Sequence, residues 1–248
     1  MYTCPNCGTA FEGHYCPICR QAAPNERITW SYLGHQAMHG FFHVDRGLIH
    51  TIRELAIRPG YAIREYLNGK RGYHFNPVLF LVLTSSLASL LFIVFNISLP
   101  NQLLTLDEVA QHNSTIAYKY FALVGIFLIL LLSATDYVFY SRKKFLFTEL
   151  ITSNTFQMGQ ILVFIILTLP VFVIQSHFNE DGGGTFELHE WFRYVLIGYM
   201  IWVRIQLLDA VKNKSLILLI FLQLVVVYFS YKYVLLAVLN YLRENMIR

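Results

Sequence analysis

Charged residues are scarce in this sequence. Asp, Glu, Lys and Arg together account for 14% of its 248 residues, whereas about a quarter is usual in soluble domains. Hydrophobic residues account for 56%, and long stretches after residue 76 carry no charge. The scarcity of charge excludes an ordinary soluble domain and indicates a protein of the lipid bilayer.

Cysteine is absent after residue 19, which excludes a disulfide framework spread along the chain. The cysteines that are present form two CxxC pairs, Cys4 with Cys7 and Cys16 with Cys19. Two residues between ligands let each pair present both sulfurs to one ion, and four thiolates suit tetrahedral zinc. We predict a zinc ribbon over residues 1–24 that holds one structural Zn²⁺, with no open position for catalysis.

A redox dithiol is the alternative interpretation of a CxxC pair. A thioredoxin-like site uses one pair inside a βαβ fold, and this segment is too short for that fold. It is also too short for a hydrophobic core of its own, so we expect it to fold only with metal. The residue after the second cysteine often has positive φ. Gly8 accepts that conformation without penalty, whereas Arg20 requires a distorted turn or additional contacts.

Five apolar stretches approach the length of about 20 residues that crosses a hydrocarbon core of about 30 Å. They predict an all-α polytopic membrane bundle, a transmembrane domain over residues 77–248. The predicted spans are 77–99, 121–140, 156–174, 191–208 and 216–239. No comparable stretch occurs in the first 76 residues, so we expect no cleavable signal peptide.

Lys and Arg collect before the first predicted span and in alternate loops after it, at 142–144 and 212–214. The loops between them carry Asp107, Glu108, Glu180, Asp181 and Glu187 instead. Short cytoplasmic loops are enriched in Lys and Arg. We therefore predict a multi-pass protein of the bacterial cytoplasmic (inner) membrane, with its N-terminus in the cytoplasm and its C-terminus outside.

The segment 25–76 joins the ribbon to the first span and is basic and aromatic. Arg58, Arg64, Lys70 and Arg71 lie among tyrosines close to that span. These residues are candidates for contact with anionic lipid headgroups or with a cytoplasmic protein partner. The alternative is the ordinary bias of basic residues towards the cytoplasm. A net charge of +4 without a separate basic face gives no reason to expect nucleic acid.

Four histidines in this segment follow a helical spacing. The residues concerned are His35, His39, His43 and His50, with Glu54 on the same side. One hypothesis is a second metal site, as in a membrane metalloenzyme. The other is an interfacial amphipathic helix. Gly34, Gly40 and Gly47 interrupt the helix that would align the imidazoles, so we expect no second metal, and the role of this face is left open.

Two ionisable residues fall inside predicted spans, where charge is costly. Asp136 lies in the second span and Arg204 in the fourth. Because these spans run in the same direction, the two residues lie at a similar depth and can form an intramembrane ion pair if the helices touch. We consider a structural bridge and, as the alternative, part of a transport path.

Three segments in order carry a family resemblance: CPNCG, YCPICRQ and RPGYAIREYLNGKRGYHFNP, the last running directly into an apolar stretch. The sequence resembles an uncharacterised bacterial family of zinc-ribbon integral membrane proteins, a domain of unknown function. The shared elements are Pro59-Gly60, Arg64-Glu65-Tyr66, Gly69-Lys70-Arg71 and Pro77. The second knuckle usually reads Cys-Gly-Gln in that family and reads Cys19-Arg20-Gln21 here. The resemblance covers residues 1–100 and implies no activity.

These observations lead to three hypotheses about function. In the first, the protein is a membrane protein of unassigned activity whose ribbon is a cytoplasmic docking or assembly module. In the second, it is a small transporter or a lipid-handling protein. The third is a histidine-dependent membrane metalloenzyme, and we name no catalytic residue because no nucleophile with an evident base accompanies the histidines. A transporter requires a polar cavity within the bundle, whereas a docking protein requires an exposed ribbon.

Overall fold

The protein is mostly helical, with a small two-stranded sheet at its N-terminus. A computed structural model describes residues 1–23, 27–32, 34, 47–95, 121–141, 145–178, 185–210 and 213–246. The predicted histidine face lies partly outside these residues, at 35, 39 and 43. Most of the loop charges behind the predicted orientation also lie outside them.

The N-terminal ribbon is built on two short antiparallel strands, β1 (Tyr2–Thr3) and β2 (Ala10–Phe11). Tyr2 lies opposite Phe11, and their rings pack edge to face with centroids 5.6 Å apart. Phe11 is buried together with Cys4 and Cys16. This cluster is too small to stabilise a fold by apolar burial alone, as expected for a metal-dependent module.

Two helices follow in the segment that joins the ribbon to the bundle: α1 (Gly47–Ile57) and α2 (Pro59–Leu67). They are separated at Arg58, whose φ of −142° and ψ of 58° are not helical. The cause is Pro59, which disfavours helical geometry in the residue before it. The same proline suits the first position of α2, where no backbone N–H is required.

The first long apolar helix, α3 (Pro77–Val94), starts at a well-defined cap. The side chain of Asn76 accepts hydrogen bonds from the backbone N–H groups of Val78 at 2.9 Å and Leu79 at 3.3 Å. Pro77 occupies the first helical position. Asparagine at the cap followed by proline fixes the direction in which the apolar helix leaves the joining segment.

Four more helices complete the bundle. They are α4 (Phe121–Asp136), which continues into a π-helical turn at Tyr137–Ser141, then α5 (Phe147–Phe178), α6 (Thr185–Leu208) and α7 (Lys214–Met246). Helix α5 packs against α3, α4 and α6 and also contacts α1 and α2. It is therefore the central helix of the described structure.

Helix α5 begins nine residues before the predicted span 156–174. Its first turns contain polar residues that a search for apolar runs passes over. Glu149 is buried, accepts a hydrogen bond from the Leu146 N–H at 2.8 Å and pairs with Arg27 at 2.9 Å. A carboxylate in the first turn compensates the exposed N–H groups of a helix start, which explains how a polar sequence begins this helix.

Among the described residues, two helices are long and apolar enough to cross a membrane: α3, and α5 over Phe147–Val171. Shorter apolar stretches lie in α4, α6 and α7, at Gly125–Phe139, Tyr194–Leu208 and Lys214–Ser230. Two spans of this kind are weak support for a membrane protein, and a bundle of five spans is not established by them.

The main hydrophobic core lies where α3 and α5 meet the joining segment. Phe80 is fully buried against Phe156 and Gly159. A Cβ atom on Gly159 would lie 2.5 Å from the Phe80 ring. Glycine at this position therefore allows α3 to approach α5 closely.

Candidate functional site

The four cysteines converge at one point of the ribbon. The Sγ atoms of Cys4 and Cys19 are 3.5 Å apart, as are those of Cys7 and Cys16, and all four lie within 4.8 Å of one another. Four sulfurs held about 2.3 Å from a central zinc ion would be separated by about 3.8 Å. The cluster could therefore hold one metal ion.

The two cysteine knuckles follow the same backbone path. Gly8 and Arg20, each directly after the second cysteine of a pair, have φ of 75° and 59°. Their N–H groups donate to the carbonyls of Cys4 at 2.9 Å and Cys16 at 2.8 Å. The positive φ predicted for Gly8 is thus confirmed. Arg20 adopts the same conformation at a cost of about 1–2 kcal/mol, so other contacts must hold the second knuckle.

The thiols of the cluster differ in acidity. A hydrogen bond with the Thr9 hydroxyl and, to a smaller extent, one with the Thr9 backbone lower the pKa of Cys7 to about 6. Burial raises the pKa of Cys4 to about 11. A metal ion binds the thiolate form, so metal binding is coupled to proton release, and the raised pKa of Cys4 makes its proton the harder of these two to remove.

Gln21 attaches the ribbon to the turn between α2 and α3. Its side-chain amide donates to the carbonyl of Gly69 at 2.8 Å. Its Oε1 accepts from the backbone N–H groups of Arg71 at 3.1 Å and Gly72 at 2.9 Å. Gln21 is buried, and it follows directly after the strained Arg20. This contact explains how the second knuckle is held and links the cysteine cluster to the helices.

Helix α2 lies closely against the end of α6. A Cβ atom on Gly60 would lie 2.4 Å from Val203 O and Leu207 N, and the Gly60 N–H donates to Gln206 Oε1 at 3.0 Å. The Arg64 guanidinium donates to the carbonyls of Gln206 at 3.0 Å and Leu207 at 3.1 Å. Arg64 thereby caps two carbonyls in the last turn of α6, of which that of Gln206 also accepts from the Asp209 N–H at 3.3 Å.

Two of the predicted contact residues form ion pairs inside the joining segment. Arg58 pairs with Glu54 and, at 3.2 Å, with Glu65, and Lys70 lies 3.7 Å from Glu65. Burial acts to raise the pKa of Glu65, but the hydrogen bonds and charge of Arg58 outweigh it, so the pKa is lowered. About half of the Lys70 side chain remains exposed.

Arg71, the fourth predicted contact residue, lies between two aromatic rings. Its guanidinium carbon is 4.5 Å from the centroid of the Tyr32 ring and 5.5 Å from that of Tyr66. Stacking of this kind between a cation and aromatic faces stabilises both partners. Arg71 therefore connects the segment before α1 to α2.

Asp136 and Arg204 meet within the bundle. Arg204 Nε lies 3.2 Å from Asp136 Oδ1, and only 4% of Asp136 and 2% of Arg204 is exposed. Three amide side chains surround this pair: Asn154, Gln157 and Gln223. They accept from Arg204 at 3.5, 3.1 and 3.2 Å respectively. Asn154 and Gln223 also donate to Asp136, at 2.9 and 2.7 Å.

This polar cluster joins α4, α5, α6 and α7, and the sequence prediction contained only its two charged members. Asn154 escaped notice because it precedes the predicted span. Gln157 and Gln223 lie within predicted spans, but the search there was for ionisable residues, and an amide carries no charge. A glutamine flanked by long apolar runs is the signal that could have identified them, since an amide in hydrocarbon requires a partner.

His50 is the one described member of the histidine face. Its ring centroid lies 5.3 Å from that of His74 and 6.2 Å from that of Tyr73, while Glu54 is engaged by Arg58. Burial, aided by the charge of His50, lowers the pKa of His74 to about 4. Within the described ranges, the cysteine cluster is the only group of three or more potential ligands close enough to hold a metal ion.

The helices and the cysteine cluster define a mostly helical protein with a candidate metal centre at its N-terminus. Residues 45–88 match the family DUF3667, a protein family of unknown function. The matched residues run from just before α1 into α3 and include Gly60, Arg64 and the turn that Gln21 contacts. The predicted resemblance to an uncharacterised family is confirmed to that extent, and the match does not include the cysteines.

The match covers fewer than half of the 248 residues. No curated protein and no solved structure matches the chain.

Proposed function

We propose that this is a bacterial inner-membrane protein of about five spans, whose zinc ribbon is a cytoplasmic docking or assembly module. One observation carries the proposal. The ribbon is bound to the helices through Gln21, while Tyr15 and Ile18 at its second knuckle are 68% and 70% exposed. Exposed apolar side chains on a module that is attached to the rest of the chain are a candidate surface for binding another protein.

Zinc is the proposed metal because four thiolates with paired spacing form a closed tetrahedral site. The number of spans is supported by the two long apolar helices together with the three shorter apolar stretches. The orientation is supported by the distribution of Lys and Arg along the chain. A reporter fused after Arg248 should therefore score as external. A cytoplasmic score would contradict the combination of an internal N-terminus with five spans.

Membrane lipid is a further proposed partner of the joining segment. The half-exposed side chains of Arg58 and Lys70 carry positive charge just before the first span. Each basic residue close to an anionic leaflet contributes about 1 kcal/mol of attraction. The internal ion pairs with Glu54 and Glu65 reduce that contribution, so we regard protein docking by the ribbon as the stronger part of the proposal.

The docking proposal can be tested by photo-cross-linking of the full chain in native membranes. A photoreactive amino acid at Ile18 should yield one discrete cross-linked protein. The matched control is Glu12, whose side chain is 82% exposed on the same ribbon. The product at Ile18 should be weakened by Tyr15→Ser and absent from the Glu12 control. Equal products at both positions, or none at Ile18, would contradict docking at this face.

A small transporter or lipid-handling protein is the second candidate, and two observations favour it. One is the buried polar cluster around Asp136 and Arg204. The other is an apolar cavity of about 170 Å³ between α3, α4 and α5, lined by residues that include Leu81, Ile126 and Met158. The cavity suits an acyl chain. We rank this candidate second because Arg204 already bonds to five protein groups, which is typical of a structural centre.

A further inference from the structure

Gln157 and Gln160 lie one turn apart on α5, and residues at this spacing present neighbouring side chains on a helix. Gln157 is 2% exposed and Gln160 is fully buried. The Gln157 Oε1 accepts a hydrogen bond from Arg204 at 3.1 Å, so Gln157 belongs to the polar cluster of the bundle. Gln160 extends the line of buried amides beyond that cluster.

Three polar atoms of these two side chains have no hydrogen-bond partner in the described structure: Gln157 Nε2, Gln160 Nε2 and Gln160 Oε1. The great majority of buried side-chain polar atoms in proteins are hydrogen-bonded, to protein or to ordered water. Two neighbouring buried amides with three unpaired atoms between them therefore point to a bound polar molecule that the two side chains share.

The three atoms define what that molecule must be. It must accept from two amide N–H groups and donate to one carbonyl oxygen. A buried water typically makes about three hydrogen bonds of this mixed kind. An anion would be repelled by Gln160 Oε1. A metal cation needs several oxygen ligands, whereas Gln160 Oε1 is the one unpaired oxygen of these two side chains. The Arg204 guanidinium, which bonds to Gln157, would also repel a cation.

We propose that Gln157 and Gln160 together bind one water molecule inside the bundle. The water accepts from both Nε2 groups and donates to Gln160 Oε1. It thereby extends the hydrogen-bonded cluster from Asp136 and Arg204 along α5. The polar core of the bundle is then one continuous network that includes solvent.

The proposal is tested by whether the Tm rises or falls when Gln160 is replaced. Gln160→Met keeps the length of the side chain and removes both polar atoms. If a water satisfies them, the substitution breaks the site and lowers the Tm of the full-length protein in detergent by a few degrees. If the amide is unsatisfied, the substitution removes an unpaired polar group and raises the Tm. Leu162→Met, a buried apolar exchange on the same helix, is the matched control for inserting methionine.

A second measurement is independent of how the variant folds. An experimental structure of the unaltered chain, at a resolution that shows ordered water, should contain one peak within hydrogen-bonding distance of all three atoms. A peak with the coordination of an ion would overturn the proposal. So would well-defined side chains with no peak, or a raised Tm in Gln160→Met.

Discussion

The ribbon and the helical bundle depend on different sources of stability. The ribbon buries little beyond Cys4, Phe11 and Cys16, so we expect its fold to depend on the metal that its four sulfurs could hold. The bundle instead packs large side chains such as Phe80 and Phe156 into a continuous core, where burial of apolar surface dominates. A few polar contacts, chiefly those of Gln21, connect the two. A substitution should therefore be able to unfold one region while the other stays folded.

The largest expected effect comes from Cys4→Ser in the ribbon. A structural zinc site contributes about 10–16 kcal/mol of binding free energy, and three thiolates cannot close the site. We expect loss of the one bound zinc, measured by elemental analysis of protein purified without chelator, and rapid proteolysis within residues 1–23. The thermal transition of the bundle should stay in place. Thr3→Ser is the matched control, and zinc retained in Cys4→Ser would refute the four-thiolate site.

The second prediction reverses the comparison by damaging the bundle alone. Asp136→Leu leaves Arg204 buried without its counter-charge, which costs about 3–5 kcal/mol. Thermal unfolding in detergent should show a markedly lower Tm, while zinc content is unchanged. Asp136→Leu combined with Arg204→Met removes both charges and should recover much of the loss. A double variant less stable than the single one would show that the cluster depends on its amides more than on its charge pair.

The third prediction concerns the contact between α2 and α6. Gly60→Ala places a methyl group against the backbone of Val203 and Leu207, and overpacking of this kind costs about 1–3 kcal/mol. Gly198→Ala is the control on α6 itself, because a Cβ atom there meets nothing within 4 Å. Alanine in a helix interior is favoured over glycine by about 0.5–1 kcal/mol. The Tm should therefore fall in the first variant and not in the second.

The smallest effect is expected at the connection between the two regions. Gln21→Ala removes the amide that binds the turn at Gly69–Gly72, at a local cost of about 1–3 kcal/mol. Hydrogen exchange at the Gly72 amide should speed up, while the Tm of the bundle and the zinc content in excess zinc stay unchanged. Glu12→Ala, on an exposed part of the ribbon, should leave this exchange rate alone. Unchanged protection of Gly72 in Gln21→Ala would mean that another contact holds the ribbon.

Local patterns in the sequence predicted part of this structure well. The spacing of the cysteines fixes their convergence, because two residues between ligands leave few conformations for each knuckle. The helical bundle follows from the long apolar runs. Asp136 and Arg204 stood out because charge in an apolar run is rare, and the structure has them 3.2 Å apart.

Contacts between distant parts of the chain could not be predicted in the same way. Gln21 binds backbone groups 48 to 51 residues away, and Arg64 binds carbonyls 142 and 143 residues away. Backbone N–H and C=O groups occur at nearly every position. The type of a residue therefore gives no sign that its backbone is the partner of such a side chain. Arg58 and Arg64 were predicted to contact lipid or a partner because they are basic residues before the first predicted span. Their described contacts lie within the chain, and contact with lipid or a partner stays a prediction.

The position of Gln21, two residues after Cys19, ties metal binding to the attachment of the ribbon. A metal ion bound to Cys16 and Cys19 would hold the second knuckle in the conformation that places Gln21 against the turn at Gly69–Gly72. The hydrogen bonds between Gln21 and that turn favour the same conformation. Two events that stabilise one conformation are thermodynamically reciprocal: each strengthens the other by the same factor. The affinity of the four sulfurs for a metal ion would therefore depend on the whole protein. A partner that pulls the turn at Gly69–Gly72 away from Gln21 would lower that affinity without touching the cysteines.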